Sequence, residues 1–137
     1  MSGVSNKHLP KYQIIDAKKC EALCSCGYEH KIPSIKVVST EDAYSVLAKD
    51  CAKIYAKESV LLLDDENTHL AAGALVSELL EKRSLAYQLV RLPGDSVATD
   101  KLAEQIYDLS TGHSLIIAVG AGTINDLGKY VSDKRGI

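Results

Sequence analysis

Apolar positions along this chain alternate between two rhythms. Short, mostly aliphatic runs recur at Ile35-Lys36-Val37-Val38, Ser59-Val60-Leu61-Leu62-Leu63, Leu85-Ala86-Tyr87-Gln88-Leu89-Val90 and Leu115-Ile116-Ile117-Ala118-Val119. Runs of that length, bounded by polar or glycine-bearing turns, read as buried strands. Each is followed by apolar residues at three- and four-residue steps, the period of a helix with one buried face. The first such stripe is Ala43, Val46, Leu47, Cys51, Ile54 and Tyr55, after a Ser39-Thr40-Glu41-Asp42 start that supplies a hydroxyl cap and first-turn acids. The second begins around Asp64-Asp65-Glu66-Asn67 and is expected to bury Leu70, Ala74, Leu75, Leu79 and Leu80, with Gly73 permitting close approach to a sheet. The third follows the Pro93-Gly94 turn, with Thr99 as cap and Leu102, Ala103, Ile106 and Leu109 as its inner side. The fourth carries Ile124, Leu127 and Val131. Strands and helices in alternation predict an α/β domain with an open, mainly parallel sheet and helices on both faces. Residues 1–30 lack this rhythm apart from Tyr12-Gln13-Ile14-Ile15, an edge strand at most, so the expected division is an irregular, cysteine-containing segment 1–30 and an α/β domain 31–137.

Composition narrows the picture. With 46% hydrophobic and 25% charged residues in 137, the chain is globular rather than disordered, and long enough for a core without disulfides. It has no Phe or Trp, so Leu, Ile, Val and Ala fill that core. A net charge of −2 gives no electrostatic basis for binding nucleic acid or an anionic membrane. No stretch approaches the ~20 apolar residues of a membrane-spanning helix, and the N-terminus lacks the apolar core of a signal peptide, which makes the cytoplasm the expected location.

Three segments could carry chemistry. In Val119-Gly120-Ala121-Gly122-Thr123-Ile124-Asn125-Asp126 a buried strand delivers two glycines directly to a helix start. Small residues there let backbone N–H groups approach a phosphate, and the helix end adds partial positive charge. An ordinary tight turn, with Thr123 as N-cap and Asp126 as its capping-box partner, fits the same residues. The usual dinucleotide fingerprint is not met, since a third glycine at the right step is missing and the loop follows the last strand. Asp64 and Asp65 stand at the end of the second long strand, where a carboxylate can accept from both hydroxyls of a nucleotide ribose and would repel a 2′-phosphate. Capping of the next helix by Asp65-Glu66-Asn67 is the plainer account of the same residues. The third segment, Cys20, Cys24, Cys26, Gly27 and His30, has zinc-ligand chemistry but not the usual knuckle spacing, so reduced thiols are expected ahead of a metal site. His69 and His113 flank turns and are expected at the surface; Cys51 is expected in the core.

From Val119 to Lys129 the sequence resembles the nucleotide-binding signature of the iron-containing alcohol dehydrogenase superfamily, which also includes glycerol dehydrogenases, sn-glycerol-1-phosphate dehydrogenases and 3-dehydroquinate synthases. That loop reads Gly-Gly-Gly-Ser with Asp at the sixth step and Lys at the ninth; Gly120, Gly122, Asp126 and Lys129 match, while Ala121 and Thr123 replace a glycine and the serine. The stretch from Leu61 through Asp65-Glu66-Asn67-Thr68 to Gly73 resembles the segment whose aspartate, Asp65 by position, contacts the adenosine ribose. The Cys24 to His30 start looks like the glycerol-1-phosphate dehydrogenase branch. The resemblance implies a Rossmann-like NAD(P)-binding domain, with Gly120, Gly122 and Thr123 at the pyrophosphate, Ala121 and Ile124 also binding the cofactor, Asp65 at the ribose, Asp126 toward the nicotinamide, and NAD favoured over NADP. It also implies a parent dehydrogenase acting on a polyol or phosphorylated polyol, dimeric or larger. An iron or zinc site would lie in a helical domain absent from this chain, leaving the chain itself inactive and truncated at its C-terminus. A stand-alone, non-catalytic phosphate- or nucleotide-binding module and a 3-dehydroquinate synthase-like enzyme are the alternatives.

Overall fold

The computed structural model describes residues 13–15, 25–27, 35–37, 42–54 and 59–137. Contacts divide the chain into two units, residues 1–47 and 48–137. In the first, β1 (Gln13–Ile15) pairs antiparallel with β2 (Ile35–Val37), Ile14 standing opposite Lys36. The 35–38 run was expected to open the parallel sheet, but β2 is not hydrogen-bonded into it. Its composition explains the difference. Ile35-Lys36-Val37 alternates apolar and polar, the pattern of a strand with one wet face, whereas strands buried on both faces are continuously apolar. Helix α1 (Ala43–Ile54) crosses the boundary between the units; Ala48 and Cys51 are buried, as the core reading of Cys51 required.

The second unit is the α/β layer structure. Strand β3 (Val60–Asp65) lies between β4 (Tyr87–Leu92) and β5 (Leu115–Ala118), and both pairings are parallel. Val60, Leu61, Leu62 and Leu63 are wholly buried, so the central strand alone contributes about 1.5–3 kcal/mol per side chain through transfer from water. Successive residues of a strand face opposite sides of the sheet. Leu61 and Leu63 pack on Ala103, Ile106, Ile124, Leu127 and Val131 from α4 (Asp100–Leu109) and α5 (Gly122–Arg135). Gly128 lets α5 close on the sheet, because a Cβ there would lie 2.9 Å from the Ala118 Cβ.

The segment between β3 and β4 departs from a regular helix. A single turn, α2 (Glu66–Thr68), passes into a π-helical turn at His69–Gly73 before α3 (Ala74–Lys82). A π-turn holds one more residue than an α-turn and shifts the phase of what precedes it. The buried side is Gly73, Val76, Leu79 and Leu80; Leu70, put out of phase by the turn, is 86% exposed, and Leu75, in the first turn of α3, is 54% exposed, both contrary to the stripe read from the sequence. Leu109 is likewise exposed, at the last residue of α4. Thr99 does cap α4, its hydroxyl accepting from the Leu102 amide at 3.2 Å. Among the described residues no helix is long and apolar enough to cross a membrane.

Candidate functional site

The carboxyl ends of β3, β4 and β5 converge on one edge, the position where open parallel sheets bind ligands. Past the end of β5 the chain holds its register for one further residue, with the Val119 amide donating to the Leu63 carbonyl at 2.9 Å. Ala121, in extended conformation, is the N-cap of α5, and no side chain caps the helix. The turn is held instead from behind: the Asn125 amide donates to the Ala121 carbonyl at 3.0 Å, and the Asn125 side-chain amide to the Gly120 carbonyl at 2.8 Å. The N-cap reading of Thr123 is thus corrected. The chain enters the helix two residues earlier, at Gly122, which places Thr123 in the first turn and removes the capping box with Asp126.

The two glycines serve different ends. A Cβ on Gly120 would lie 2.7 Å from Cβ and Cγ1 of Ile124, so this glycine is required for packing. A Cβ on Gly122 would meet nothing within 4 Å, so this one borders open space in front of an uncapped helix N-terminus. Backbone N–H groups and the helix dipole at such an uncapped start are the features that receive an anion. Ile124 itself is 1% exposed; its side chain belongs to the core, and only its backbone can serve a ligand. Asp126 lines a cleft of about 280 Å³ between α4 and α5 together with Thr99, Asp100 and Tyr130.

The neighbouring strand supplies the polar groups. Asp65 is the N-cap of α2: Oδ1 accepts from the Thr68 amide at 2.7 Å, and the Thr68 hydroxyl accepts from the Asp65 amide at 3.0 Å. That is the capping role foreseen as the plainer account of this residue. Its second carboxylate oxygen has no protein partner among the described residues, so capping leaves one acceptor unused. Asp64 points to the other side and is fully buried. It holds two cationic or protonatable groups, His69 Nδ1 at 2.6 Å from Oδ2 and Arg91 Nε at 3.3 Å from Oδ1. Gly73 makes the arrangement sterically feasible, since a Cβ there would lie 2.3 Å from Asp64 Oδ2. His69 is therefore a partner of a buried carboxylate and not the surface residue expected. His113, also expected at the surface, bridges Ser59 Oγ (2.8 Å) and Gln88 Oε1 (3.1 Å) at the opposite end of the sheet. Neither His69 nor Arg91 stood out in the sequence, because the π-turn and the register of β3 with β4, Asp64 opposite Arg91, bring them to Asp64.

A further clasp ties the ends of β3 and β4. The Gly94 amide donates to Glu66 Oε2 at 3.2 Å, and the Asn67 side chain donates to the Gly94 carbonyl at 3.3 Å. Of the proposed zinc ligands, Cys20, Cys24 and His30 lie outside the described residues, and Cys26 is exposed. Among the described residues no three His, Cys, Asp or Glu side chains cluster to hold a metal.

Comparison with known proteins covers this stretch of the chain. The profile of iron-containing alcohol dehydrogenases matches residues 37–137. The chain belongs to that family. Similar curated relatives are glycerol-1-phosphate dehydrogenases (NAD(P)+): that of Halalkalibacterium halodurans is 30% identical over 130 residues, covering 88% of this chain and 31% of the relative. That of Geobacillus stearothermophilus is 29% identical over 121 residues, covering 83% and 30%. That of Bacillus licheniformis is 26% identical over 125 residues, covering 88% and 31%. The chain thus spans a little under a third of the length of these relatives. The family match includes both the Asp65 segment and the Gly120 loop, the two parts of the edge built above.

Proposed function

We propose that this chain provides the dinucleotide-binding edge of a metal-dependent dehydrogenase acting on glycerol phosphate or a similar polyol. The observation that carries the reading is the pairing of Gly122, whose missing Cβ borders open space at an uncapped helix start, with the Asp65 oxygen on the adjacent strand that has no partner among the described residues. The backbone amides of Gly122 and Thr123 would hold the pyrophosphate, and Asp65 would accept from the adenosine ribose, its charge favouring NAD over NADP. A bound nicotinamide supplies hydride transfer, and a metal in such enzymes polarises the substrate oxygen. No described residue is assigned to that metal. What these residues do is fix the cofactor: the Asn125 bond to Gly120 and the Glu66–Gly94 clasp hold the two halves of the edge in place before a ligand arrives.

Titration with NAD+ and NADH, followed by calorimetry and by backbone amide shifts, tests this. Binding should perturb Gly120, Gly122 and Asp65 first, and Gly122→Val and Asp65→Ala should each weaken it by tenfold or more, about 1.4 kcal/mol. Equal affinity in both variants and wild type would refute the assignment. A non-catalytic nucleotide-binding module would share this edge; dehydrogenation of glycerol 1-phosphate by the protein that carries it excludes that reading.

A further inference from the structure

At the amino ends of the strands, opposite the edge described above, a second set of polar side chains comes together. His113 lies between Ser59, one residue before β3, and Gln88, in β4: Ser59 Oγ is 2.8 Å from its Nδ1, and Gln88 Oε1 is 3.1 Å from its Nε2. Gln88 Oε1 can only accept, so in the neutral imidazole Nε2 carries the proton and Nδ1 is left as the acceptor for the Ser59 hydroxyl. A hydroxyl donating to an imidazole whose other nitrogen is fixed by an amide is the arrangement of an activated nucleophile, its base and the group that orients the base. The backbone holds all three in place. The Ser59 carbonyl accepts from the Ser114 amide at 3.0 Å and from the Ser114 hydroxyl at 3.4 Å, and the adjoining Val60 amide donates to the Ala86 carbonyl at 2.9 Å. The His113 amide closes a turn onto the Ser110 carbonyl at 3.1 Å, through Gly112 in the left-handed region. Ser59 and His113 are half-buried and Gln88 is exposed, so the group lies at the surface rather than in the core. The dinucleotide reading uses none of these three residues.

We propose that Ser59 is an acyl-accepting nucleophile, with His113 as its general base and Gln88 as a positioning residue, and that its substrate class is a small activated ester. In the step, Ser59 Oγ forms an ester bond to the acyl carbon while its proton passes to His113 Nδ1. The bond from the acyl carbon to the leaving oxygen breaks, and the leaving group departs with the electron pair and takes the proton from His113. The products are O-acylated Ser59 and the free alcohol or phenol, with no change of oxidation state. Gln88 accepts from Nε2–H, so the ring keeps Nδ1 toward the hydroxyl. The site is independent of the dinucleotide edge and stands whether or not that edge binds NAD.

The probe is p-nitrophenyl acetate, added to the full chain, with p-nitrophenol release followed by absorbance and the acetylated residue located by peptide mass spectrometry. Ser59 should be acetylated ahead of every other serine, and Ser59→Ala should abolish the fast phase of release. His113→Gln should slow the acetylation about a hundredfold or more, the range of general-base assistance. Gln88→Ala should slow it several-fold. Gln88→Glu sets a carboxylate against Nε2–H, makes the imidazole a stronger base and should speed the reaction, a gain that a merely structural role for Gln88 does not produce. The two Gln88 variants carry the comparison if His113→Gln does not fold. Ser59 acetylated no faster than the other serines, or at one rate in wild type and in the His113 and Gln88 variants, overturns the inference.

Discussion

Gly120 and Gly122 are two residues apart in one loop, and alanine at each should move stability in opposite directions. At Gly120 the added Cβ falls 2.7 Å from two carbons of Ile124, about 0.7 Å inside ordinary van der Waals contact. Ile124 is 1% exposed in the core shared with Leu61, Leu63 and Leu127, and its β-branched side chain has no second rotamer free in a helix, so α5 must shift. Overpacking of this kind costs about 1–3 kcal/mol. At Gly122 the added Cβ meets no atom within 4 Å, the backbone is not left-handed, and the residue opens α5. Alanine there narrows the unfolded ensemble and stabilises by about 0.4–1 kcal/mol. The two variants should therefore differ by roughly 1.5–4 kcal/mol in urea unfolding followed by helical circular dichroism, with unchanged m-values. Both should weaken NAD+ binding, Gly120→Ala by displacing the helix start and Gly122→Ala by filling the ligand's space. If Gly122→Ala is destabilised by 1 kcal/mol or more, or Gly120→Ala is neutral, the division of roles between the two glycines is wrong.

Other expectations follow from single contacts. Thr99→Ala removes the cap of α4 and should cost about 1 kcal/mol by the same unfolding assay, with Thr99→Ser restoring most of it. Burial, reinforced by Asp50, pushes the Cys51 thiol above its ordinary range, so in a Cys20→Ser, Cys24→Ser, Cys26→Ser background iodoacetamide should label Cys51 only as fast as the protein opens. Tyr87 donates to Glu81 Oε1 at 2.7 Å, and that bond raises its phenol above the ordinary tyrosine value. Its small stabilisation is complete below the unfolded value near 10 and is lost as pH rises through the higher folded one; absorbance titration should show one late-ionising tyrosine that Tyr87→Phe abolishes. Gly73→Ala should place a methyl group against Asp64 Oδ2, disturb the contacts of this buried carboxylate and destabilise by about 2–4 kcal/mol despite better helix propensity.

Much of this architecture was legible because burial and period coincide. The unbroken Val60–Leu63 run read as a strand covered on both sides, and Thr99 sits three residues before a stripe of the right period. The glycine loop was equally visible, since strand, loop and helix start are contiguous in sequence. Legibility ended where geometry depends on residues far apart. Strand register pairs Asp64 with Arg91 across 27 positions, and no local pattern announces it. Thr123 looked like a cap because it is the only hydroxyl near the helix start, yet the extended backbone of Ala121 begins the helix earlier without one. Leu70 looked inward because the period was counted through a turn that does not keep it, whereas Leu75 lies beyond that turn, in the first residues of α3, and the turn does not account for its exposure.

That π-turn also says something about which changes in chain length this segment tolerates. Removing one residue from His69–Gly73 would leave a continuous α-helix with no loss of backbone hydrogen bonding, and α3 would keep its seat against the sheet through Val76, Leu79 and Leu80. What precedes the deletion would rotate by about 100°, the angle of one helical residue. His69 would leave Asp64, and a buried carboxylate would be left with Arg91 alone. The extra residue thus behaves like a spacer with a fixed count: the helix is indifferent to it, but the edge of the sheet is not.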